Sequence, residues 1–275
     1  MPRKHFVHNG LQIEYAEFGY GKSIVIAMHG FGREAEDFRQ FVPMLRENER
    51  IVAINLFSHS KSNWPENRPL LESLSPLEHK QLLEAFLAHL NVKSFALMGY
   101  SLGGKVALTT YELMPEKVER LLLIAPDGLK VNLFYAFLVN TSMGRGLYRG
   151  IMKLPKVLFR TADFAKATGL INAKLHRFVY VHMDSHEKRN LVYETWLIYR
   201  KLVPNLDKIA AQANASNVHL KLIFGTHDSV IKIKDGERFA FKLNHKKSLY
   251  KLPSGHQLMN EETVKFIVNN NIWPS

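Results

Sequence analysis

Short, continuous apolar runs alternate along the chain with stretches in which apolar residues return every three or four positions. Ser23–Met28 (SIVIAM), Arg50–Asn55 (RIVAIN), the run opening at Phe95, Val118–Ala125, His219–Gly225 (HLKLIFG) and Ser248–Leu252 are of the first kind. Runs without a polar alternate suit parallel strands covered on both faces. Ahead of them, Phe6-Val7 and the alternating Leu11, Ile13, Tyr15 flank Asn9-Gly10, which predicts a hairpin. Helical spacing is clearest after Ser75, which can cap a helix with Pro76 at its first position and Glu78 completing a capping box; Leu82, Leu83, Phe86, Leu87 and Leu90 then recur on one face. Further helices are expected near Glu36–Leu45, from the turn at Ser101 to about Met114, near Lys234–Leu243 and from about Asn260. This alternation predicts an α/β protein: a mostly parallel, doubly wound sheet of about eight strands with helices on both faces.

The pattern breaks between Asp127 and Asn205. Three or four helical stretches follow one another there with no convincing strand, so residues 127–205 are expected to form a helical cap inserted into a core made of 1–126 and 206–275. The insert begins with the aromatic, apolar VNLFYAFLVN and carries thirteen Lys or Arg against five Asp or Glu. A lid with an apolar face over a substrate pocket is the expected role, because a membrane-surface element calls for a cleaner division into apolar and basic faces.

Composition narrows the class. With 275 residues and 46% hydrophobic content the chain can bury a sizeable core. It has no apolar run long enough for a membrane span and no apolar segment behind the basic start MPRKHFVHNG, so a soluble, cytoplasmic protein is expected, without stable membrane insertion. The absence of cysteine removes disulfides, thiol nucleophiles and cysteine metal sites together. A net charge of +12 favours solubility and steering of anions; the lysines are scattered and no nucleic-acid-binding pattern accompanies them, so no nucleic-acid partner is expected. His182 and His186 have helical i, i+4 spacing. Met183 stands where an H-E-x-x-H site needs glutamate, so a surface helix is expected there and no metal.

Chemistry concentrates in loops that follow strands. In FALMGYSLGGKVAL, residues 95–108, a strand meets a turn and then a helix, and Gly99 and Gly103 on either side let the chain reverse and push Ser101 out at the tip, with the Leu102 amide behind it. HGFG at 29–32 ends another strand, with glycines that let the loop fold over the sheet edge and leave the Phe31 amide facing a ligand. Asp228 closes GTHD at 225–228, and His256 closes SGH at 254–256. In a doubly wound sheet, loops after parallel strands share one edge.

These motifs, HGFG, GYSLGG, GTHD and SGH in that order, resemble the α/β-hydrolase superfamily over both core segments, with the insert where that family carries its variable cap. The resemblance implies a serine hydrolase that cleaves a carboxylic ester or related carbonyl compound through an acyl-enzyme. Ser101 would be nucleophile, His256 its base, and Asp228 the fixed anion that orients the imidazole. The amides of Phe31 and Leu102 would form the oxyanion hole, supported by His29 and Gly30, with no cofactor or metal. Asp127, after the strand preceding the insert, is a competing acid. The expected partner is a small molecule, anionic or an acyl ester. Two other readings share the scaffold: carbon–carbon bond hydrolysis, or an elimination like that of the menaquinone-pathway synthase, whose elbow resembles SLGGKVAL with arginine at the place of Lys105. A non-catalytic ligand receptor is the third. One departure stands out: where relatives show D-x-x-G-x-G-x-S, this chain has Asn55, Ser58 and Ser60.

Overall fold

The computed structural model describes residues 3–171, 173–216, 218–244 and 248–273. The chain opens with β1 (Lys4–His8) and β2 (Leu11–Gly19), antiparallel to each other. Asn9 and Gly10 both take positive φ, 49° and 78°, as a tight hairpin turn of matching twist requires. Then follow β3 (Ser23–Met28), β4 (Glu49–Ile54), α1 (Pro76–His89), β5 (Phe95–Tyr100), α2 (Leu102–Leu113) and β6 (Val118–Ile124). The expected capping box is present: the Glu78 amide donates to Ser75 Oγ at 3.2 Å, and Glu78 reaches back to the Ser75 amide. Between β3 and β4 the expected helix is instead a 3-10 stretch, Ala35–Met44. Pro43 lies inside it and cannot donate to an α-helical ladder, while Phe38 and Phe41 anchor it in the core.

The chain forms two compact units. The smaller comprises Val131–Lys201 together with Arg68–Leu74. It holds five helices among the described residues: α3 (Leu133–Asn140), α4 (Ser142–Lys153), α5 (Pro155–Ala167), α6 (Ala173–His182) and α7 (His186–Ile198). There are more and shorter helices than the three or four expected, because Pro155 starts one afresh and Gly169 ends it at positive φ. Leu71 and Leu74 join this unit through hydrogen bonds of their backbone carbonyl and amide to Arg200 and the Ile198 carbonyl.

The larger unit resumes with α8 (Leu206–Ala215), which periodicity left unread, then β7 (His219–Gly225), α9 (Ile233–Ala240), β8 (Leu249–Leu252) and α10 (Glu261–Asn269). Among the described residues its eight strands form one sheet in the order β1-β2-β4-β3-β5-β6-β7-β8. Among the described strands β2 alone runs against the direction of the rest. All six residues of β5 are buried, as the continuous apolar runs predict for strands covered on both faces. At the sheet's other end Glu49 is buried between Arg120 and the Trp273 indole N–H, which donates to it at 3.0 Å and so ties Trp273 to β4.

The order in the sheet reverses at β3: β4 lies to one side and β5 to the other. Loops leaving the carboxyl ends of β3 and β5 therefore diverge around a crevice, the place where open α/β sheets bind ligands.

Candidate active site

Ser101 stands between β5 and α2 with φ 50° and ψ −117°, an unfavourable conformation for a residue with a side chain. Four backbone hydrogen bonds hold it there. Its amide donates to the Ile124 carbonyl at 3.0 Å, and its carbonyl accepts from Gly104, Lys105 and Asp127 at 2.9, 3.2 and 2.8 Å. The neighbouring glycines serve close approach: a Cβ on Gly99 would lie 2.6 Å from the Gly103 carbonyl oxygen, and one on Gly103 would lie 2.0 Å from that of Met28. The reversal thus falls on the serine itself, while the glycines let helix α2 press against the sheet.

His256 Nε2 lies 3.0 Å from Ser101 Oγ, and His256 Nδ1 lies 2.7 Å from Asp228 Oδ2. The other Asp228 oxygen accepts the amides of Val230 and Ile231 at 2.8 and 2.9 Å, so the carboxylate is buried yet fully engaged. A carboxylate only accepts, so Nδ1 carries the proton and Nε2 offers its lone pair to the serine hydroxyl. The Tyr100 hydroxyl donates to the His256 carbonyl at 2.8 Å, fixing the loop that bears the imidazole. Burial pushes that phenol up to about 12, which keeps its proton in place at neutral pH. Asp127, the competing acid, is occupied elsewhere: its carboxylate accepts the Gly128 amide at 2.7 Å, and the histidine is paired with Asp228.

The loop after β3 passes close to the elbow. A Cβ on Gly30 would lie 2.8 Å from the Tyr100 ring and 3.2 Å from Ser101 Cβ, so only glycine fits. Phe31 follows it directly, and Leu102 opens α2 beside the serine. His29 is fully buried; its Nδ1 donates to the Gly30 carbonyl at 2.7 Å and its Nε2 accepts the Leu56 amide at 3.0 Å. Burial, with nearby His59 adding to it, lowers this imidazole to about 3 and keeps it neutral, as that double role demands.

Three residues have roles that sequence reasoning does not reach. His59 Nε2 accepts the Gly32 amide at 3.0 Å, bracing the far side of the same loop, and burial lowers its pKa as well. Tyr100 is the second. Asn55 is the third: its Oδ1 accepts the Ala35 amide at 2.7 Å and its Nδ2 donates to Glu14 at 2.6 Å. The departure at this position thus answers a buried glutamate on β2, a pairing that two strands distant in sequence conceal. His182 and His186 belong to two helices, the last residue of α6 and the first of α7, and not to one as their spacing predicts; the His182 side chain is not among those described.

Comparison with known proteins identifies the fold. The sequence pattern of the alpha/beta hydrolase fold matches residues 23–263. The uncharacterized hydrolase YugF of Bacillus subtilis is 28% identical over 128 residues, covering 46% of this chain and 45% of its own, so the chain spans less than half the length of that relative. The monoacylglycerol lipase ABHD6 of Homo sapiens is 21% identical over 94% of this chain and 82% of its own. Among solved structures, a carboxylesterase of Nitrososphaera gargenis superimposes with a TM-score of 0.67 at 16% identity, covering 98% of this chain and 97% of its own, a likeness of fold.

Proposed function

The chain belongs to the alpha/beta hydrolase fold family, and from that premise we propose that it is a serine hydrolase acting on a carboxylic ester or related carbonyl compound. The observation that carries this reading is the pair of hydrogen bonds that His256 makes, to Ser101 Oγ at 3.0 Å and to Asp228 at 2.7 Å. A fold hosts many reactions, so the side chains must argue the chemistry. The monoacylglycerol lipase among the similar proteins favours esters over the alternatives on the same scaffold.

In the proposed cycle Ser101 Oγ attacks the carbonyl carbon as His256 Nε2 takes its proton. Asp228 stabilises the resulting imidazolium and holds the ring in the required tautomer. The negative charge that forms on the carbonyl oxygen is met by the amides of Phe31 and Leu102, at the positive end of α2. Collapse breaks the carbon–oxygen bond, the departing alkoxide takes the proton from Nε2, and an ester links the acyl group to Ser101. Water, deprotonated by the same nitrogen, then releases the acid.

Ser101→Ala is expected to lower turnover of a chromogenic ester by roughly a millionfold and to abolish labelling by a fluorophosphonate. A panel of esters of graded acyl length, run beside a carbon–carbon substrate such as a meta-cleavage dienoate, separates the reaction classes. Undiminished ester turnover in the alanine variant would sink the proposal.

A further inference from the structure

The smaller unit presents an unusual surface. Leu133 and Phe134 on α3, Met143 on α4, Phe164 on α5 and Leu170 after it are 80%, 63%, 73%, 67% and 75% exposed. Soluble proteins seldom leave so many large apolar side chains in water on one small unit without a partner for them. Their spacing is ordered: Met143 and Leu147 lie one turn apart on α4, and Val157 and Phe164 two turns apart on α5, all exposed.

Basic residues border those stripes. Arg149, Lys153, Lys156 and Arg160 are exposed and make no ion pair among the described residues. Residues 127–205 as a whole carry thirteen Lys or Arg against five Asp or Glu. The division into apolar and basic positions that a membrane-surface element needs is thus present on α4 and α5.

We propose that α3, α4 and α5 dock this protein peripherally and reversibly on an anionic lipid bilayer. Apolar side chains enter the boundary between headgroups and acyl chains, while lysine and arginine extend alongside them to the phosphates. Charge selects this occupant. A second copy of the chain would set the same unpaired cations against each other across a two-fold interface, and a soluble polyanion would leave the leucine and phenylalanine side chains in water. No helix among the described residues is long and apolar enough to cross a membrane, so the contact is interfacial. This inference does not depend on the hydrolytic reading.

The test is flotation of the full chain with vesicles of phosphatidylcholine and phosphatidylglycerol in roughly equal parts, compared with phosphatidylcholine alone. The protein is expected to float with the mixed vesicles and to be released by raised salt. Replacing Arg149, Lys153, Lys156 and Arg160 by glutamine should weaken binding by about fivefold for each charge that reaches the surface. A second variant, with Met143, Leu147 and Phe164 changed to serine, should lose binding at unchanged charge. These residues are exposed, so an unchanged melting temperature is expected and checks that both variants are folded. Wild-type protein that stays below the vesicles overturns the proposal, as does flotation unaffected by both variants. Light scattering that shows a dimer dispersed by the serine variant assigns the surface to a second copy and overturns it equally.

Discussion

The amide of Gly32 donates to Nε2 of His59 across 3.0 Å, joining the loop after β3 to the loop after β4. The same ring donates through Nδ1 to the Phe57 carbonyl at 3.1 Å, so its orientation is fixed from behind. Phe31, one of the two proposed oxyanion donors, lies between this brace and the one made by His29. His59→Leu removes the acceptor and frees the loop, and a small displacement of a group that stabilises the transition state typically costs about a hundredfold. The expected result is a kcat reduced by roughly tenfold to a hundredfold with little change in KM. His59→Gln, whose side-chain oxygen can accept the Gly32 amide, should recover most of it. A leucine variant with wild-type kcat shows that the loop needs no brace.

Asn55 and Glu14 make a second prediction. Burial opposes ionisation of Glu14, yet hydrogen bonds from Ser60, the Lys61 amide and Asn55, with the charge of Arg3, bring its carboxyl below the usual range. Asn55→Asp withdraws one donor and places a second carboxylate within hydrogen-bonding distance of the first. The variant is expected to lose roughly 2–4 kcal/mol at pH 7. Acid relieves the repulsion once one of the two carboxyls binds a proton, so the gap from wild type, measured by denaturant unfolding, should narrow between pH 7 and pH 4.5. A gap independent of pH would mean that lost hydrogen bonding alone accounts for it.

The proposed nucleophile, acid and base, Ser101, Asp228 and His256, are legible in the sequence because each lies within four residues of the end of a strand whose apolar run is unmistakable. Neighbours in sequence there become neighbours in space, and the loops of β3, β5, β7 and β8 share an edge by topology. Asn55 reads only as a departure, since its meaning lies in Glu14 on another strand. Tyr100 and His59 are hidden for the same reason: one looks like strand filler and the other like a polar loop residue, until tertiary contacts give each a backbone partner. The 3-10 stretch at 35–44 and helix α8 show the other limit, where short elements take their form from packing and weak periodicity gives no warning.

Ser58 takes φ 66°, a left-handed conformation, at a position where the D-x-x-G-x-G-x-S pattern of the resembled family implies glycine. A side chain there costs about 1–2 kcal/mol, whereas glycine loses about 0.5–1 kcal/mol more entropy on folding. The first exceeds the second, so Ser58→Gly is expected to raise stability by about 0.5–1 kcal/mol, read as a higher denaturant midpoint with an unchanged slope. The Ser58 amide, which donates to the Ser62 carbonyl at 3.0 Å, is retained. Ser60 is also left-handed, at 52°, but its hydroxyl meets Arg3, and substitution there removes a contact as well as strain. Loss of stability in Ser58→Gly would show that the serine hydroxyl contributes more than its backbone costs.

Among the described residues three buried histidines, His29, His59 and His79, contribute to the behaviour in acid. Burial, aided by His59, holds His29 at about 3; burial alone holds His79 at about 4; and burial lowers His59 as well. Above pH 6.5 each is neutral whether the chain is folded or not, and none makes stability depend on pH. Below 6.5 the unfolded chain binds protons that the folded one refuses, so stability falls with pH by about 1.4 kcal/mol per unit for each histidine, down to its folded pKa. His79 allows a clean check, since it sits on α1 and its Nε2 donates to the Thr110 hydroxyl at 2.8 Å while Thr110 donates onward to the Val106 carbonyl. His79→Leu gives up one hydrogen bond, about 1 kcal/mol, and should be the less stable protein at pH 7.5. At pH 5 the wild type bears a penalty of about 2 kcal/mol at this residue that leucine escapes, so the order should reverse. Parallel unfolding free energies of the two proteins across that range would mean that His79 takes up its proton inside the fold.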